Sequence, residues 1–370
     1  MGPIRVMIVD DSALIRRSLS RILQEDPEIQ AVETATDGAS ALEKLGLFKP
    51  DVVLLDIHMP KMDGLQALRH LMRLGPVPVI MFSSLTTAGA EITLQALRLG
   101  AVDFLPKPRG SLAENLKYLS SQLITKVKAA KSAKLFPGRI PDSGSVSAER
   151  SFHTPSRLKV SGIHFPVAGS PPLIVIGCST GGPKALEEII PALPADFPAA
   201  IGIVQHMPEP FSRVFADHLD QRSALRVKIA SQEELFQPGQ VLMAPGDAHL
   251  RVMKKENRVI AYLEPFPGGD SGGMPSIDSF FFSAARALAR KTLGVLLTGM
   301  GRDGAKGMAA IKIMGGRTIA QDESTSTVFG MPRAAIESGT VDCITPLSQI
   351  PVLLERHMRS VLGIPQEEGL

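Results

Sequence analysis

Apolar positions in the first 124 residues follow two alternating rhythms. RVMIV (5–9), AVETA (31–35), DVVLL (51–55), VPVIMF (77–82) and VDFL (102–105) are short, mostly apolar runs, as expected of strands buried on both faces. Between them, SALIRRSLSRILQ, GASALEKLG, DGLQALRHLMR and GAEITLQALRLG repeat apolar residues at helical spacing. Five strands alternating with helices predict a doubly wound parallel sheet, closed by the helical stretch SLAENLKYLSSQLITKVKAAK. From about 133 to 170 the rhythm stops, and Pro, Ser, Gly and scattered basic residues mark a linker. Alternation resumes with LIVIG (173–177), AAIGIVQ (199–205), KTLGVLLTG (291–299) and RTIAQ (317–321). Helices are expected near 183–193, 275–290 and 303–314, and a β-rich middle near 225–265. The fold class is therefore α/β with two doubly wound parallel-sheet domains. A flavodoxin-like domain spans 1–124, a linker 125–170, a Rossmann-like three-layer α/β/α domain 171–362 and a tail 363–370.

Composition agrees with this division. A chain of 370 residues exceeds one ordinary core, and 44% hydrophobic with 21% charged residues is a globular balance. No apolar run approaches the roughly 18 residues that span a bilayer, and MGPIRVMIVDD has acids where a signal peptide needs an apolar core. No direct membrane insertion is expected. Two distant cysteines, Cys178 and Cys343, fit a reducing cytoplasm. The net charge is +3, but residues 125–170 hold eight basic and two acidic residues, so the remainder sums to −3. That balance argues against a basic nucleic-acid face spread over a folded domain.

In an open parallel sheet, ligand groups gather at the carboxyl ends of the strands. Those ends carry Asp10 and Asp11, Asp56, Ser83 and Lys107. Three carboxylates in one crevice call for a cation, and all-oxygen ligands favour Mg²⁺. A carboxylate beside that ion accepts a phosphoryl group as an acyl phosphate, with Ser83 and Lys107 contacting phosphoryl oxygens. Taken singly, Asp11 reads equally well as a helix N-cap.

The second domain opens with IGCSTGGP (176–183) between a strand and a helix. A dinucleotide fingerprint requires G-x-G-x-x-G, but its middle glycine is Ser179 here, and the next strand ends in Gln205 and His206 rather than an acid. G-x-S-x-G is present instead, as Gly177-Cys178-Ser179-Thr180-Gly181, the pattern of a nucleophile elbow. Such a serine needs a base and an orienting carboxylate. His206 at the next strand end and Asp303 in the turn after a strongly apolar strand are the candidates. Each also has a plainer reading, His206 as a loop hydrogen-bonding residue and Asp303 as the N-cap of the following helix.

Two resemblances join these observations. MIVDDSALIR, LLDIHMPKMDG, MFSS and DFLPKP resemble, in order, the signatures of response-regulator receiver domains. That resemblance implies phosphorylation of Asp56 by a chemotaxis histidine kinase. It also implies Mg²⁺ held by Asp10, Asp11, Asp56 and the backbone carbonyl of His58, a cis Lys107–Pro108 peptide, and Phe104 as a ring that reorients. IGCSTGGP, IVQHMPEPF, LMAPGDAH, GMPSIDSFFFSAA, GVLLTGMGRDGAKG and FGMPRAAIESG resemble the catalytic domain of the chemotaxis protein-glutamate methylesterases. This implies Ser179 as nucleophile, His206 as general base and Asp303 as its orienting group, with the Met300 amide as an oxyanion donor. Elbow geometry adds the Thr180 amide. The implied reaction is demethylation of glutamate esters on methyl-accepting chemotaxis receptors, with glutamine deamidation by the same chemistry and no cofactor for hydrolysis. The unphosphorylated receiver is expected to cover the active-site face of a monomeric chain. Cys178 departs from the small residue expected beside the nucleophile; it would serve as a small buried apolar group or confer sensitivity to thiol reagents. The competing expectations for the second domain are a DNA-binding output and a non-catalytic receptor-binding adaptor.

Overall fold

The computed structural model describes residues 2–107, 116–135, 170–266 and 274–363. They belong to two compact units, Met1–Ser145 and Val146–Leu370. No helix among the described residues is long and apolar enough to cross a membrane.

The first unit runs β1 (Ile4–Val9), α1 (Ala13–Gln24), β2 (Ile29–Ala35), α2 (Gly38–Phe48), β3 (Val52–Asp56), α3 (Gly64–Leu74), β4 (Val79–Ser83), α4 (Thr87–Leu99), β5 (Asp103–Pro106) and α5 (Leu116–Lys131). The strands form one parallel sheet in the order β2-β1-β3-β4-β5. Helices cover it because their apolar residues recur on one face, as Ala67, Leu68, Leu71 and Met72 do in α3. Ser12, not Asp11, caps α1, which leaves Asp11 exposed and available for other chemistry. Leu123, Val127 and Ala130 of α5 are buried in the same core as Ile8 and Leu54, so packing of this unit continues past residue 124. The Lys107–Pro108 peptide, most of the expected linker and the tail from 364 lie outside the described residues.

The second unit runs β6 (Leu173–Cys178), α6 (Gly182–Ile189), β7 (Ala200–Gln205), α7 (Glu209–Arg222), β8 (Arg226–Ile229), β9 (Gln240–Met243), β10 (Ala248–Lys255), β11 (Arg258–Pro265), α8 (Ile277–Leu288), β12 (Thr292–Leu296), α9 (Ala305–Ile313), β13 (Arg317–Gln321), α10 (Met331–Glu337), β14 (Cys343–Thr345) and α11 (Ile350–Leu362). Seven parallel strands lie in the order β14-β13-β12-β6-β7-β9-β8. The β-rich middle divides: β8 and β9 extend this sheet, while β10 and β11 form a separate antiparallel hairpin. Sheet and helices meet in a core of Val175, Val204, Phe280, Phe281, Leu296 and Met308. Helices α7, α10 and α11 and strand β14 add to the elements expected from the residue pattern. A Cβ on Gly177 would stand 2.3 Å from Ile277 Cγ2, so a glycine in β6 is what lets the start of α8 approach the strand that leads to Ser179.

Candidate active site

In the first unit, strand register assembles the acidic pocket. Val9 pairs with Leu55, Asp56 with Phe82, and Ser83 with Pro106, so Asp10, Asp56, Ser83 and Lys107 end adjacent strands at one level. One carboxylate oxygen from each of Asp10, Asp11 and Asp56 lies within 4.8 Å of the others. Lys107 Nζ spans two of them, 3.1 Å from Asp10 Oδ2 and 2.8 Å from Asp56 Oδ1. Burial pushes the Asp10 carboxyl up, Lys107 pulls it down and the Asp56 charge pushes it up; the net direction is up. Two buried carboxylates, an exposed third and a single lysine are a donor set suited to a hard divalent cation. Ser83 is buried with its Oγ donating to the Gly89 carbonyl at 3.3 Å. Phe104 is turned inward and buried, with Lys126 Nζ 5.8 Å from its ring centroid. The His58 side chain is exposed.

In the second unit the serine turn and the histidine strand end are register neighbours. Cys178 pairs with Gln205, and the His206 amide donates to the Cys178 carbonyl at 3.1 Å, so Ser179 and His206 leave the sheet side by side. Gln205 bridges the two turns: its Nε2 donates to the Ser179 carbonyl at 3.0 Å and to that of His206 at 3.2 Å. The chain then turns sharply through Gly181, at φ +81°, into α6. A third strand end, after β12, supplies the loop beside the serine. Ser179 donates its amide to the Thr298 carbonyl at 3.0 Å, and a Cβ on Gly299 would stand 2.9 Å from Ser179 Cβ. Met300 follows directly.

His206 Nε2 lies 2.9 Å from Asp303 Oδ2. Asp303 is not simply the cap of the helix that follows it. Besides accepting from the Gly304 amide at 3.0 Å, it accepts the amides of Ile277 and Asp278 at 2.8 Å each, at the N-terminus of α8. Burial alone would push this carboxyl up; the hydrogen bond and charge of His206 and the two amides outweigh it, and the net direction is down. Asp278, an alternative acid, accepts the Gly307 amide at 2.7 Å, and burial raises its carboxyl.

Several further residues support the site. Thr298, buried, donates Oγ to the Thr180 carbonyl at 2.9 Å and accepts the Val328 amide at 3.0 Å. Gln321, also buried, accepts the Thr298 amide at 2.7 Å. Cys178 is fully buried and burial pushes its thiol far up, consistent with a small buried apolar group.

Both units resemble known proteins. The family described as response regulator receiver domain matches residues 6–117, and that described as CheB methylesterase matches residues 174–354. A protein-glutamate methylesterase/protein-glutamine glutaminase of Pyrococcus abyssi is 43% identical over 97% of this chain and 95% of its own. One of Bordetella bronchiseptica is 44% identical, covering 95% of this chain and 96% of its own. The chain belongs to the protein-glutamate methylesterase/protein-glutamine glutaminase family. Among solved structures, a Thermotoga maritima CheB methylesterase catalytic domain is 43% identical, covering 52% of this chain and all of that one, at a TM-score of 0.49. A response regulator domain of Thermotoga maritima CheB is 44% identical, covering 36% of this chain and 98% of that one, at a TM-score of 0.34. Membership in a methylesterase family with a receiver sets aside both competing expectations for the second domain, a DNA-binding output and a non-catalytic adaptor.

Proposed function

We propose that this chain is a phosphorylation-activated serine hydrolase that removes methyl groups from glutamate γ-methyl esters on methyl-accepting chemotaxis receptors and deamidates receptor glutamines by the same chemistry. The observation that carries the reading is the His206–Asp303 pair standing one residue beyond the Cys178–Gln205 register, beside the turn that bears Ser179. The names of the full-length relatives carry both activities.

Ser179 Oγ attacks the ester carbonyl as His206 takes its proton. With Nε2 on Asp303, Nδ1 is the nitrogen that serves the serine. The amides of Met300 and Thr180 hold the tetrahedral oxyanion. His206 then protonates the leaving methoxide oxygen, methanol departs and a glutamyl-enzyme remains. Water, giving a proton to His206, attacks the acyl carbon; the Ser179 oxygen leaves, regains the proton and frees the glutamate. For a glutamine substrate the first leaving group is ammonia. Asp303 stays ionised throughout and steadies the imidazolium in both halves. No metal enters this cycle.

In the receiver, Asp56 accepts a phosphoryl group from a chemotaxis histidine kinase. Asp10, Asp11, Asp56 and the His58 carbonyl would hold Mg²⁺, which when bound neutralises the incoming phosphoryl oxygens. Lys107 and Ser83 contact those oxygens, and Phe104 changes its rotamer in response. Phosphorylation needs to shift an inactive–active equilibrium by only a few kcal/mol to raise turnover greatly. The protein works in the cytoplasm as a monomer, with catalysis residing in 171–362.

A serine-reactive phosphonate tests the assignment. It is expected to label the peptide that contains Ser179 in the wild type and not in Ser179→Ala. Labelling confined to another serine would exclude the hydrolase described here.

A further inference from the structure

His249, the second residue of β10, is tied to the frame that holds Asp303. Ser276 donates its backbone amide to His249 Nδ1 at 3.0 Å. An amide N–H only donates, so Nδ1 must carry a lone pair and the ring hydrogen resides on Nε2. Phe266 meets the ring edge-on, with centroids 4.8 Å apart at 73°. Ser276 is the N-cap of α8, accepting the Ser279 amide on Oγ at 3.2 Å, and its Oγ donates to Asp303 Oδ1 at 3.4 Å. The next two amides, Ile277 and Asp278, bind the two oxygens of Asp303. Three consecutive residues therefore connect the His249 ring to the carboxylate that faces His206.

We propose that His249 is a positioning residue for the ester hydrolysis: its Nδ1 lone pair anchors the Ser276 amide, and with it the α8 N-terminus that aims the Asp303 carboxylate at His206. The inference rests on the Ser179–His206–Asp303 reading above and extends it to a second imidazole. Protonation would place a hydrogen on Nδ1 against the Ser276 N–H, turning an attraction into a clash and releasing the cap. The groups facing the ring are Glu264, its cross-strand partner on β11, Arg251 on its own strand, and Asp303. Burial pushes the ring's protonation down, Glu264 and Asp303 oppose this and Arg251 reinforces it; the net direction is down, so the ring is neutral at pH 7 and the clash belongs to the acid side.

The test is the pH profile of kcat for methanol release from methylated receptor by the full chain, comparing wild type, His249→Asn and His249→Leu. The Asn amide oxygen reaches about as far from the backbone as Nδ1, accepts the same amide and does not titrate. His249→Leu is expected to lose roughly 10- to 100-fold in kcat at neutral pH with little change in KM. His249→Asn is expected to recover most of that loss and to show an acid limb shallower by one proton than the wild type's. A wild-type kcat in the Leu variant, or an Asn variant as impaired as Leu, would overturn the proposal. Should the Leu variant fail to fold, the acid limbs of wild type and Asn decide: equal steepness overturns it, and one proton fewer in Asn upholds it. A wild type that releases no methanol at all would overturn the parent reading as well, a result distinct from any difference among the His249 variants.

Discussion

Asp303 holds the His206 imidazole with the same oxygen, Oδ2, that accepts the first amide of α8, so one carboxylate both binds a histidine and caps a helix. The two duties separate on substitution. Asp303→Asn keeps a hydrogen-bonding oxygen for α8 but presents the imidazole with the wrong partner on one side, and kcat is expected to fall by about 10³- to 10⁴-fold. Loss of the charged cap is expected to cost about 1 kcal/mol in urea unfolding. Turnover near that of the wild type would take the orienting role away from Asp303.

Acid sensitivity follows from the same carboxylate. Its folded-state value lies below the ordinary carboxylate range, so its contribution to stability is complete above about pH 4 and is lost as pH falls through the folded value. The second unit of Asp303→Asn should therefore lose less stability than the wild type between pH 5 and pH 2 (roughly the carboxylate window). Parallel unfolding curves across that range would contradict this sign.

The receiver pocket has the opposite sign. The folded-state value of Asp10 is raised, so the native form binds its proton more tightly than the unfolded chain and stability falls as pH rises through that value. Removing a neighbouring charge in Asp56→Asn should raise the melting temperature of the receiver transition in chelator, while added Mg²⁺ should raise the wild type's and barely move the variant's. The same variant should retain basal esterase activity and lose activation by a small phosphodonor. Identical melting of both proteins with and without Mg²⁺ would contradict the carboxylate cluster as a cation site.

Much of this was legible in the residues. Both alternating rhythms became parallel sheets, and the strand-end acids, Ser83 and Lys107 meet because parallel register aligns carboxyl ends. G-x-S-x-G marked the serine turn, and its neighbour His206 followed from strand order. What could not be read was the support. Thr298, Gln321 and Gln205 act through backbone carbonyls and amides that only the folded chain brings near, so their bonding partners have no sequence spacing to reveal them. The role of Asp303 at α8 was hidden for the same reason, since the helix it caps precedes it by some 25 residues, whereas sequence reading looks for a cap just before its helix. Helix α7 was open to the same reading, since Phe211, Val214, Phe215 and Leu219 in EPFSRVFADHLDQR recur at helical spacing.

Thr298 offers a test of that hidden support. In Thr298→Val the shape is kept, but the Thr180 carbonyl and the Val328 amide both lose a buried partner. Unfolding should cost about 2–4 kcal/mol less than in the wild type, with a drop in kcat as the serine turn and the Met300 loop drift apart. Full stability would mean that water replaces the hydroxyl.

Cys178 is expected to resist iodoacetamide in the native protein, because its thiol is buried and far from ionised at neutral pH. Mass spectrometry should find the half-buried Cys343 modified first, with activity intact. Inactivation tracking modification of Cys178 would show that the serine turn opens.

Methanol release from methylated chemoreceptor, compared between wild type and Ser179→Ala of matched fold and matched Asp56 phosphorylation, tests the hydrolase most directly. Wild type should liberate methanol at a rate that rises with phosphodonor, and the variant should stay at the uncatalysed background. Comparable release by both would remove Ser179 from the chemistry and the proposed mechanism with it.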